Sequence, residues 1–205
     1  DMGVIMTDSG AHYENALDFI KKGKDVLIEK PVTLKLTHAN DLQVIAAEAG
    51  VNVFVVKQNR FNQAVVFAKD AVKRNLLGKL NIASIKVRWC RDQSYYDQAA
   101  WRGTWSDDGG VITNQAIHHI DLLQWFMGPV TEVFAYSRTF GVTNIEVEDT
   151  LVAIVSFKSG SVATIEATTS VRPRNLEGSV SIIGDDGSII IGGVAVNRIE
   201  KFEVR

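Results

Sequence analysis

Residues 113–125, TNQAIHHIDLLQW, place two adjacent histidines and a carboxylate on one short stretch. On a helix with about 100° per residue, Asn114, His118, Asp121 and Trp125 fall within an arc of roughly 60°. Ile117, Ile120, Leu123 and Met127 occupy another side and read as core. A histidine with a carboxylate one turn on can be oriented by it and its protonated form stabilised, as general acid–base chemistry needs. Spacing alone leaves a second reading open, a histidine that merely packs on the helix surface. His119 points roughly 100° away from His118, so the two are expected to do different jobs. H-H-x-x-D with a lone Cys90 lacks a third and fourth ligand, and no metal is expected.

A second candidate is Lys30 in VLIEKPVTLKL, residues 26–36. An apolar strand runs directly into Glu29-Lys30-Pro31, and ligands of open parallel sheets bind outside the carboxyl ends of strands. Pro31 biases Lys30 toward an extended backbone. A lysine partly desolvated beside a cofactor ring would titrate nearer neutrality and polarise a hydroxyl. The alternative is an ordinary turn lysine. Thr7, Ser9 and His12 follow the first strand, where they either bind a ribose or phosphate or cap a helix. In YYDQAAWRGTW, residues 95–105, Arg102 lies between tryptophans and has the geometry to pair with an anionic ligand. A phosphate cradle G-x-G-x-x-G is missing: of the 16 glycines, no two are separated by a single residue.

The elements that would hold these residues change character along the chain. Strands at 3–6, 25–28 and 52–56 alternate with helices at 12–22 and 37–49, the second with Thr37 at its N-cap and Gly50 at its end. This βαβαβ order predicts right-handed crossovers and a parallel sheet over residues 1–58. Residues 59–205 read as α+β with a large, mostly antiparallel open sheet. A helix at 63–75, a long strand at 80–90, an irregular aromatic stretch at 94–108 and a helix at 114–127 precede strands at 131–140, 149–157, 161–170, 178–184, 188–191 and 198–204. With 46% hydrophobic and 22% charged residues the composition is that of an ordinary soluble domain. A net charge of -2 gives no electrostatic reason for nucleic acid or an anionic membrane as partner. The single cysteine and the lack of a long apolar run make a cytoplasmic location the expectation. A buried parallel strand needs neighbours on both sides, and GVIM opens the chain without one; the chain is therefore expected to be part of a longer polypeptide.

GKDVLIEKP (23–31), TNQAIHHIDLLQW (113–125) and EDTLVAIVSFKSGSVATIEATT (148–169) together resemble the Gfo/Idh/MocA oxidoreductase family, over essentially the whole chain and in the same order. The resemblance implies the C-terminal half of a Rossmann domain for NAD, with NADP as alternative, at 1–58. At 59–205 it implies a substrate-binding and oligomerisation domain whose sheet forms a homo-oligomer. The family lysine of E-K-P matches Lys30 and the histidine of D-x-x-x-H matches His118, the two implied catalytic residues. The motif aspartate is Asn114 here. Cofactor contacts are expected from Thr7, Ser9, His12, Glu29, Lys30, Trp101 and Arg102. Substrate contacts are expected from Lys30, Asn59, Arg102, Asn114, His118 and His119. YYDQAAWRGTW and IIIGGVAVNRIEKFE resemble one branch, the sugar-nucleotide 3-dehydrogenases that oxidise UDP-N-acetylglucosaminuronate for lipopolysaccharide and other surface polysaccharides. A dehydrogenase of another sugar or inositol, and a non-catalytic oligomerising module, are the alternatives. Lacking the glycine-rich turn, the chain by itself is expected to hold no NAD and to turn over negligibly.

Overall fold

A computed structural model describes residues 1–205. Two sheets organise it. β1 (Met2–Ile5), β2 (Asp25–Ile28) and β3 (Val53–Val55) form a parallel sheet in that order, with α1 (His12–Ile20) and α2 (Leu36–Ala49) as the crossovers. Alternate residues of β1 and β2 are buried, and Ile5, Val26 and Ile28 meet Ala16, Leu17 and Ile20 of α1 and Leu42 and Ala46 of α2. Gly50 ends α2 with φ +65°, a left-handed conformation that glycine adopts without a Cβ penalty. Thr37 does not cap this helix. The helix begins one residue earlier, after an extended Lys35, and Thr37 falls inside its first turn.

The second sheet has seven strands in the order β10-β9-β8-β4-β7-β6-β5. They are β4 (Leu80–Arg88), β5 (Val130–Arg138), β6 (Thr150–Phe157), β7 (Val162–Thr168), β8 (Glu177–Gly184), β9 (Gly187–Gly192) and β10 (Arg198–Val204). Only β4 and β7 run parallel; every other pair is antiparallel, as the sequence predicts. α3 (Gln63–Lys73) and α5 (Ile117–Met127) cover one face, where Leu122, Leu123, Phe126 and Met127 pack on Ala83, Ile85, Val155 and Ile165. On the opposite face Phe134, Tyr136, Val152 and Ile154 are exposed beside one another, since Phe134 pairs with Ile154 and Tyr136 with Val152. No helix is long and apolar enough to cross a membrane.

The aromatic stretch that read as irregular contains a short helix, α4 (Gln93–Tyr96), capped by the Asp92 carboxylate accepting from Tyr95 N. The predicted helix at 114–127 also divides. Residues Val111–Gln115 form a single π turn, and the α-helix starts only at Ile117. Asn114 is therefore not on the helix of His118, and an even 100° step between them does not apply.

Candidate active site

Lys30 is held by the small sheet. Glu29 N donates to Ile5 O at 3.0 Å and Val56 N to Ile28 O at 2.9 Å, so the parallel ladder runs to the last residue before it. The Lys30–Pro31 peptide is cis. His12, 1% exposed, fastens the turn from behind: Nδ1 lies 2.7 Å from Pro31 O and Nε2 3.2 Å from Thr7 O. Both ring nitrogens of His12 thus face backbone carbonyls, and a neutral imidazole can donate to one of the two. Glu29 accepts from Lys30 N at 3.1 Å, and the Thr7 hydroxyl donates to Asp8 O and accepts from Asn15. Ser9 is buried in the turn that opens α1.

The second unit supplies the facing wall. Lys30 Nζ donates to Asn114 O at 2.9 Å and to Asn114 Oδ1 at 3.1 Å, across the whole boundary between the two units. The π turn aims Asn114 this way, and it is braced by Glu148, which accepts from Ile112 N with its carboxylate and from Val111 N with its carbonyl. Such turns recur at functional sites because the extra residue redirects the neighbouring side chains. A cavity of about 250 Å³ lies between Lys30, Gln58, Asn59, Trp89, Asn114 and His118. The loop between β9 and β10 closes one side, tied down by Asn62 Nδ2 donating to Ala195 O at 2.8 Å.

Four of the expected residues, Lys30, Asn59, Asn114 and His118, thus share one cavity. Arg102 lines a larger cavity of about 500 Å³ with Tyr96 and Glu146. Its guanidinium lies 4.2 Å from the Tyr95 ring centre and 4.7 Å from that of Trp101, which serves as a stacking surface. His119 is elsewhere. It is fully buried, and it reaches the cavity wall only through Trp89, edge to face at 5.9 Å between ring centres. The expected substrate contact for His119 is corrected on that ground. Asp121 also departs from expectation: it forms a two-pronged ion pair with Arg60, 2.7 Å in each arm, and lies 3.5 Å from Lys57. His118 Nε2 faces the Gln58 amide at 3.2 Å instead. Gln58 was not singled out in the sequence, although its neighbour Asn59 was; nothing in residues 57–60 announces which amide turns inward.

The electrostatics follow from burial. Desolvation pushes His118 down to about 4, with Lys30 and Lys57 adding to the effect and Asp121 opposing it. The imidazole is therefore neutral near pH 7 and free to accept a proton. Lys30 is lowered from its ordinary value first by burial; Glu29 and Asp108 oppose that shift and Arg102 adds to it. Two cationic groups near the site keep a donor unused. Lys30 Nζ spends two donors on Asn114, and Arg102 Nε is buried and unbonded. Both suit an acceptor oxygen of a ligand.

Fold and site together define a class: a parallel nucleotide-type unit joined to an open-faced sheet, with one cavity built from both. Comparisons with known proteins give the family. Residues 1–57 match the model for the oxidoreductase family, NAD-binding Rossmann fold, and residues 65–190 match the GFO/IDH/MocA C-terminal domain. The chain belongs to the Gfo/Idh/MocA oxidoreductase family. It is 41% identical to the WlbA dehydrogenase from Bordetella pertussis, solved in complex with NADH and UDP-GlcNAcA, with a TM-score of 0.96. That match covers 100% of this chain and 63% of the other. The Chromobacterium violaceum WlbA structure, also with NADH and UDP-GlcNAcA, gives the same 41% and 0.96, covering 59% of that chain. The scyllo-inositol 2-dehydrogenase (NAD(+)) of Bacillus subtilis is 26% identical over 94% of this chain and 55% of its own length. The chain spans about half the length of the curated relatives it matches.

Proposed function

We propose that this chain carries the catalytic residues of an NAD-dependent dehydrogenase that oxidises the 3-hydroxyl of a UDP-N-acetylglucosaminuronate-type nucleotide sugar. The carrying observation is that Lys30 and His118, from separate units, line one cavity with opposite capacities. Lys30 has a donor to spare and His118 is a neutral acceptor. Lys30 donates to the sugar hydroxyl and stabilises the developing alkoxide; His118 Nε2 takes the hydroxyl proton in place of its contact with Gln58. NAD, when bound, would supply the two-electron acceptor for the hydride of the same carbon. Thr7, Ser9 and Glu29, which follow β1 and β2 at the end of the small sheet that holds Lys30, are assigned to the cofactor in this reading. Arg102, stacked on Trp101 with Nε unbonded, suits an anionic group of either ligand. The 41% identity to two enzymes solved with UDP-GlcNAcA favours the nucleotide sugar over inositol, and with it a place in surface-polysaccharide synthesis.

NADH absorbance on mixing NAD and UDP-N-acetylglucosaminuronate with the intact enzyme that carries this chain, rather than with the chain alone, tests this reading. We expect turnover with the nucleotide sugar at least about tenfold above that with myo- or scyllo-inositol, the discrimination a site built for polar groups achieves readily. Equal or greater turnover with the inositols would overturn the substrate assignment.

The open face of the large sheet bears on assembly. Beside its exposed apolar residues runs a strip in which Arg88 binds Glu166 at 2.6 Å and Glu177 at 3.1 Å, with Lys86 3.8 Å from Glu177. A strip carrying both signs is self-complementary under a two-fold axis, so a second copy is the occupant it fits. A monomer by light scattering at micromolar concentration would refute this.

A further inference from the structure

Asn114 is neutral, yet it is the residue that Lys30 grips twice. An amide presents an oxygen at one end and a donor at the other, and only the surroundings decide which end faces which partner. Here the deciding group is Asp108. It is 3% exposed, one of its oxygens accepts from Asn114 Nδ2, and the other accepts from Gly103 N at 2.7 Å. A carboxylate can only accept, so the amide NH2 must face Asp108 and Oδ1 must face Lys30 Nζ. Neither partner of Asp108 is a cation, which makes it a buried charge whose nearest cationic outlet runs through Asn114 to Lys30.

We propose that Asp108 is a positioning residue for Lys30: it fixes the orientation of Asn114 and holds a negative charge one amide away from the ammonium. The role rests on the reading of Lys30 as the group that faces the sugar hydroxyl. The charge relation does not. Asp108 favours the ammonium form, against burial and Arg102; Glu29 acts in the same direction as Asp108, while His118, Glu148 and Tyr96 are the other titratable groups whose fields overlap this cluster.

The test is competitive acetylation of Lys30 across pH in the intact protein without ligands, read by peptide mass spectrometry. In Asp108→Asn, Gly103 N holds the new carbonyl and the new NH2 meets the NH2 of Asn114, so the Asn114 amide must turn its oxygen away from Nζ, which keeps only the Asn114 backbone oxygen and meets the amide NH2 instead. The labelling midpoint of Lys30 should fall by about one pH unit or more. Asp107→Asn removes the same charge one residue away, off this chain of bonds, and should leave it in place. The double variant Asp108→Asn with Asn114→Asp moves the carboxylate onto Lys30 and should restore the midpoint, which a merely structural role would not do. A shift in D108N no larger than in D107N, or one that N114D fails to reverse, overturns the proposal. Should D108N not fold by circular dichroism, Asn114→Leu decides: an unchanged midpoint there also overturns it. Labelling needs neither NAD nor sugar, so a protein that reduces no NAD would refute the proposed reaction and leave this result standing.

Discussion

The two flanks of α5 make an instructive pair. His118 and His119 are consecutive, and burial pushes both down to about 4. His118 opens on a cavity, faces an amide at 3.2 Å and shares its space with Lys30. His119 is 0% exposed, has no partner on either ring nitrogen, and lies edge-on to Trp89. A depressed basicity therefore marks burial, and only the cavity and the second titratable group turn it into chemistry.

The largest expected effect separates the flanks directly. His118→Asn should lower kcat by roughly a hundredfold to ten-thousandfold, the usual worth of a positioned acid–base group, with little change in unfolding midpoint. His119→Leu should do the reverse, keeping most of the turnover, because an apolar side chain replaces two unbonded nitrogens in an apolar site. Comparable losses of turnover in both variants would break the comparison. A second effect follows from the lowered basicity that both histidines share, and it is read at His119, which has no part in turnover. Its unfolded form takes up a proton near 6.5 and its folded form only near 4, so between those values the unfolded state binds more protons. Stability is then full above about pH 6.5 and is lost as pH falls toward about 4, by about 3 kcal/mol for this histidine. Urea midpoints of wild type should decline through that window, and those of His119→Leu should decline less. Parallel declines would show that the histidine contributes nothing to the pH dependence.

Much of this was legible in the sequence, and unevenly so. The alternation of strand and helix and the strand-ending Lys30 depend on local pattern, and local pattern carried the parallel sheet and the antiparallel order of the large one. Helical spacing also separated His118 from His119, although the expected substrate contact of His119 ignored that separation. Two features escaped. The π turn at Val111–Gln115 interrupts the helix by one residue without a proline or other signal in VITNQ, since what holds it is Glu148, more than thirty residues on. The partner of Asp121 escaped because Arg60 is brought to it by the turn Gln58–Phe61, a contact that no spacing along one helix can display. Asp108 could have been noticed from SDDGG just ahead of the motif, though only the fold shows which of its two aspartates turns inward.

The smallest effect concerns that misread carboxylate. If Asp121 served His118 directly, Arg60 would be a bystander and Arg60→Gln would leave the pH profile alone. In the structure Arg60 takes both carboxylate oxygens, and Lys57, 3.5 Å from Asp121, adds to the cationic pressure that keeps His118 neutral. Removing the guanidinium frees the carboxylate to neutralise Lys57 and to favour the imidazolium, so the proton affinity of His118 should rise. A base of higher affinity is lost at higher pH, and the acid limb of kcat/KM should therefore move upward, by less than about one pH unit because Asp121 remains a turn away. An unmoved limb would restore the direct pair, and a downward one would mean that Arg60 draws Asp121 toward His118 rather than away from it.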